Sequence, residues 1–75
     1  LIGIRPNGEI WMAKRQIELR EVRQMVERAR AENPEGSVVI VADRGARIGT
    51  VTQVMDQVRL AGVEGVAISA ERRGD

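Results

Sequence analysis

VVIVADRGARIGTVTQVMD, residues 38–56, decides the fold. Val38, Val39, Ile40, Val41 and Ala42 are apolar without alternation, and four of the five are β-branched. Such a run fits a strand covered on both faces, the usual state of a parallel strand. Asp43-Arg44-Gly45 then breaks it, and the period changes. Val51, Val54, Met55, Val58 and Ala61 recur at helical spacing. Thr50-x-x-Gln53 reads as a capping box opening this helix, and Gly62 as the glycine that ends it. Residues 65–70 follow, with Val66 and Ile68 alternating with Ala67 and Ser69, as a further strand. A strand–helix–strand crossover leaves its two strands parallel.

Upstream, Leu19, Val22, Met25, Val26 and Ala29 form one helical stripe within residues 18–32, closed by Asn33-Pro34-Glu35-Gly36. Acidic Glu18 and Glu21 stand near its amino end and Arg28 and Arg30 near its carboxyl end, as the helix dipole favours. Residues 1–5 and 9–13 flank Pro6-Asn7-Gly8, strong turn chemistry, and read as a β-hairpin. Its two-residue period sets Ile10 and Met12 on one face against Glu9, Trp11 and Ala13 on the other. The expected fold class is therefore α/β, of the two-layer α+β kind. Its order is β-β-α-β-α-β, with the hairpin as an antiparallel edge of a four-stranded mixed sheet and both helices on one face. Residues 1–70 are expected to form a single domain, followed by a charged tail over residues 71–75.

With 75 residues the chain buries a small core, and association would help it. There is no cysteine and no histidine or tyrosine, which removes disulfides, thiol nucleophiles, imidazole chemistry and most transition-metal sites. Net charge is +1 and Trp11 is the one aromatic residue, so neither a strong field nor a stacking platform for nucleic acid is present. Eleven arginines and Lys14 make up the 12 basic residues; the plain reading is a solvated surface with helix-pair partners. No run reaches the ~20 apolar residues of a membrane span. The opening LIGI, without methionine, suggests a piece of a longer protein whose anchor or address lies upstream.

Two helices cover one face of a small sheet and leave the other bare. Val38 and Ile40 point one way, Val39 and Val41 the other, and Trp11 opposes Ile10 and Met12. Trp11, Val39 and Val41 are accordingly the candidate dimer or partner surface, since a contiguous apolar patch marks an interaction site. Leu60 is a further apolar residue off its helix stripe, which a single exposed leucine does not make informative.

Chemistry at the strand–helix junction is limited. Residues 42–49, ADRGARIG, lack the Gly-Lys-Ser/Thr ending of a phosphate loop and the spacing of a dinucleotide loop. No second carboxylate follows before Asp56, so no catalytic residue, cofactor site or metal site is assigned. Asp43 can organise its loop by accepting backbone N–H groups or by pairing with Arg44 or Arg47. The competing reading gives Asp43, Arg44 and Arg47 direct contact with a partner.

The ordered pieces resemble the periplasmic domain of the ExbD/TolR family. They are the strand ending Ala42-Asp43, the step Ile48-Gly49, Val51-x-x-Val54-Met55-Asp56 on a helix, and Ala61-Gly62-Val63 before the last strand. The hairpin around Asn7-Gly8 and the helix ended by Asn33-Pro34 fit as well. Ile48 stands where the family often has tyrosine, and Glu18 where a better helix cap such as serine is common. The resemblance implies a non-enzymatic, dimerising module of a proton-motive-force transducer in the inner membrane. An ExbB- or TolQ-like protein would meet it through a single membrane helix outside this stretch, and a TonB- or TolA-like protein would receive the force, with peptidoglycan a further partner. The other class of function considered is a cytoplasmic regulatory domain of ferredoxin-like type that binds a small molecule at a dimer interface, its arginines gripping an anion.

Overall fold

The computed structural model describes residues 1–71. Three short strands, β1 (Ile2–Ile4), β2 (Ile10–Met12) and β3 (Arg15–Ile17), lead into helix α1 (Leu19–Glu32). Strand β4 (Val38–Asp43), helix α2 (Ile48–Leu60) and strand β5 (Val66–Glu71) follow. The order is thus β-β-β-α-β-α-β: a two-layer mixed sheet with the expected helices and one additional strand, β3. Glu71, assigned on sequence to a charged tail, closes β5 opposite Asp43. The rest of that tail, residues 72–75, lies outside the described residues.

The five strands lie in the order β3-β2-β1-β4-β5. β1 is not at the edge; it runs at the centre, antiparallel to β2 and parallel to β4. β4 and β5 are parallel, as a crossover through α2 requires. One face of this sheet carries rows of isoleucine: Ile17, Ile10 and Ile4 in register, and beside them Met12, Ile2, Ile40 and Ile68. Val22 and Val26 of α1 and Val54 and Val58 of α2 pack onto Ile2 and Ile40, and all six are fully buried. Both helices therefore cover the same face. Cover thins at the β5 edge, where Ile68 keeps 49% of its surface exposed. Ala29, on the α1 stripe by spacing, is also exposed, above an open notch lined by Leu1, Ile2 and Val38.

Local chemistry explains the turns. Gly8 donates to the Arg5 carbonyl (3.0 Å), Pro6 takes the position its ring favours, and Gly8 follows at φ +91°. Asn7 Oδ1 accepts from the Glu9 N–H at 3.0 Å, which fixes the register of β1 against β2. The β2–β3 connection is only Ala13-Lys14, and both residues sit at positive φ, +55° and +64°. That is the two-residue hairpin geometry normally given to Asn-Gly.

Helix α1 starts after Glu18, whose N–H donates to the Glu21 carboxylate at 2.7 Å. The reach-back half of a capping box thus offsets the absence of serine. Helix α2 starts at Ile48 with Arg47 as its cap, three residues before the Thr50 cap expected from the motif. A tight turn at Asp43, with Ala46 N–H donating to the Asp43 carbonyl (2.8 Å), brings the chain into helical geometry early. At the far end Gly62 (φ +98°) donates to the Arg59 carbonyl (2.9 Å) and Val63 to the Val58 carbonyl (3.4 Å). This pair of bonds is a Schellman closure. Arg30 of α1 reaches across and donates to the Ala61 carbonyl at 3.1 Å, placing a cation at the negative end of α2.

Candidate functional site

The face of the sheet away from the helices is built from every second residue of each strand. Register places Gln16, Trp11, Gly3, Val41 and Ser69 in one row across all five strands. Val39 and Ala67 pair in a row to one side of it; Asp43 and Glu71 pair on the other side, at the carboxyl ends of β4 and β5. Arg5 and Glu9 continue that charged row, since the Arg5 N–H donates to the Glu9 carbonyl at 2.9 Å. The face therefore grades from apolar to charged along the strand direction.

Trp11, Val39 and Val41 all lie on this face, half-buried. Their partial burial does not come from α1 or α2, which pack on the opposite side. Trp11 is held firmly. Its indole N–H donates to Glu9 Oε1 at 3.1 Å, and the Arg5 guanidinium stacks on the ring, 4.3 Å from its centroid. Arg5 also pairs with the same Glu9 oxygen at 3.5 Å. Guanidinium, carboxylate and indole thus close a triangle on the protein's one aromatic ring.

Beside that ring the sheet is hollow. Gly3, in register with Trp11 on one side and Val41 on the other, carries no side chain. The resulting groove of about 300 Å³ is lined by Gly3, Arg5, Trp11, Val41, Asp43 and Glu71. A second hollow of about 420 Å³, also bordered by Gly3 and Trp11, lies beside Leu1, Ala13 and Lys14. Reading the leading hairpin as an antiparallel edge concealed this feature; a glycine in a central strand is what signals it.

Asp43 closes the end of the groove, whereas Arg44 and Arg47 follow it on the loop and are not among the residues that line it. Asp43 Oδ1 accepts from the Gly45 N–H at 2.8 Å, an Asx turn that shapes the loop. Of the two ways Asp43 can organise the loop, backbone acceptance is the one present; among the described residues it pairs with neither arginine. The Arg44 N–H extends the β4–β5 ladder by donating to the Glu71 carbonyl at 3.0 Å. Both arginine side chains are exposed. Ile48, at the position where tyrosine is common in the resembling family, is 84% exposed, so no buried contact depends on it.

No helix among the described residues is long and apolar enough to cross a membrane. The family model described as biopolymer transport protein ExbD/TolR matches residues 1–73. The chain is also similar to the biopolymer transport protein exbD2 of Vibrio cholerae serotype O1, at 37% identity over 71 residues. That match covers 95% of this chain and 53% of the relative, so the chain spans about half the relative's length.

Proposed function

The chain belongs to the biopolymer transport ExbD/TolR family, and from that footing we propose that it is a non-catalytic contact module of a proton-motive-force transducer. In this reading it is the periplasmic part of a single-span inner-membrane protein. An ExbB- or TolQ-like protein drives it through that membrane helix, and it relays force to a TonB- or TolA-like protein, with peptidoglycan as a further contact. The observation that carries the reading is the helix-free face with Trp11, Val39 and Val41 half-buried on it. A module that transmits force needs a rigid body and a surface that engages another chain; here the isoleucine core supplies the first and this face the second.

On the same reading, the face pairs two copies of the chain or a copy and its partner. Asp43, Arg44 and Arg47 form the rim beside it, Asp43 by holding the loop and the two arginines by offering exposed charge. Rim charges of this kind tune association rate and partner choice more than affinity.

The experiment is capture of the purified chain by the periplasmic segments of TonB- and TolA-like proteins and by peptidoglycan sacculi. The expected result is retention by at least one of them, reduced about tenfold or more by Trp11→Glu, as for removal of a buried aromatic anchor. Retention by none, or equal retention of the wild type and Trp11→Glu, would count against the proposal.

A further inference from the structure

We propose that the groove over Gly3 is a binding site for a basic side chain of a partner polypeptide, an arginine or lysine whose stem lies on Gly3 and Val41. The inference rests on the contact-face reading above and adds what that face receives. Three observations carry it.

The first is shape. Gly3 opens a gap one residue wide between Trp11 and Val41, and the gap runs along the strand toward Asp43. Gly3 and Asp43 are one row apart, because Gly3 registers with Val41 and Asp43 lies two residues further along β4. Two residues of strand span about 7 Å, roughly the reach of an arginine or lysine stem from backbone to head.

The second is charge. Arg5, Asp43 and Glu71 are the charged residues that line the groove; Arg5 pairs with Glu9 at 3.5 Å, and Arg44 and Arg47 stand on the adjoining loop. Asp43 and Glu71 have no ion-pair partner among the described residues, and both line the groove. The end of the groove therefore presents two carboxylates beside an apolar channel, Asp43 with one oxygen accepting from the Gly45 N–H and neither in an ion pair among the described residues, the arrangement that a long cationic side chain complements along its whole length.

The third is rigidity. The Glu9 and Arg5 contacts fix the Trp11 ring as a wall, with one of its faces already occupied by a guanidinium. A ring so held does not project into a facing surface as a knob; it borders a slot. This favours a guest in the groove over a second copy inserting its own Trp11.

Trp11 is the protein's single tryptophan, so its indole N–H reports on this site alone. The test titrates the uniformly ¹⁵N-labelled chain with n-butylguanidinium, with n-butyrate as the anionic control. The expected result is saturable shifts at the Gly3 amide, the Val41 amide and the Trp11 indole with butylguanidinium and none with butyrate. Asp43→Asn combined with Glu71→Gln, which keeps an acceptor for Gly45, should weaken binding at least tenfold. Gly3→Val should abolish it. A Cβ at Gly3 meets nothing closer than 3.9 Å, so the first atom of the added side chain enters the groove without a clash. Equal shifts with butyrate, or binding unchanged in the carboxamide variant, would overturn the proposal even if Gly3→Val failed to fold. Sedimentation of the same samples reads the contact-face proposal separately. Self-association that is lost in Trp11→Glu, without any butylguanidinium shift, would remove the basic guest and leave the face standing. Self-association abolished by Gly3→Val, again without such a shift, would assign the groove to a second copy instead.

Discussion

Gly62 and Arg30 show how single residues join the two helices. Gly62 has φ +98°, where a side chain costs about 1–2 kcal/mol. A Cβ there would also lie 2.6 Å from Arg30 Nη1, displacing the guanidinium from the Ala61 carbonyl and forfeiting roughly another 1 kcal/mol. Gly62→Ala should therefore lower the thermal midpoint by roughly 8–24 °C for a domain of this size. Gly49 gives the opposite expectation. It lies in the first turn of α2 with nothing within 4 Å of a built Cβ, so Gly49→Ala should stabilise by about 0.5–1 kcal/mol. Circular dichroism melts of the two variants check both signs; equal shifts would mean that positive φ at Gly62 is not what constrains that position.

At the scale of elements, the β2–β3 hairpin is the part of the fold that sequence reading misses, and the reason is physical. Its strand Arg15–Ile17 has three residues with one apolar among them, too short for any period to show. Its turn is Ala13-Lys14, at φ +55° and +64°, where left-handed geometry is ordinarily announced by Asn-Gly. Sheet pairing and the burial of Ile17 hold the turn in place despite its composition. The same reasoning explains α2: the Thr50 motif was visible, but Asp43 turned the chain fast enough to begin the helix at Ile48. Long periodic segments, α1, β4 and α2, were legible because many residues agree on one period. Replacing Ala13-Lys14 by Asn-Gly should relieve the strain and raise stability by roughly 1–2 kcal/mol, read as a higher urea midpoint at unchanged slope. A lower midpoint would show that Ala13 and Lys14 make contacts worth more than their strained backbone.

At the largest scale the central fact is asymmetry: among the described residues, helices α1 and α2 lie on one side of five strands and none lies on the other. That much follows from counting helices in the sequence, and so does the placing of Trp11, Val39 and Val41 on the bare side. The groove does not follow, because it depends on which strands flank Gly3, and a central β1 parallel to β4 is set by long-range pairing that no local pattern encodes. A helix-free face whose apolar part holds Trp11, Val39 and Val41, on a chain of 8.3 kDa, is expected to be covered by association. The most direct measurement is sedimentation equilibrium over a wide range of concentration, for the wild type and for Val41→Glu. The wild-type mass should rise from that of one chain toward two, and Val41→Glu should remain at one. A wild type that stays monomeric at the highest concentration, or a charged Val41 variant that associates just as well, would contradict the assignment of this face as the contact surface.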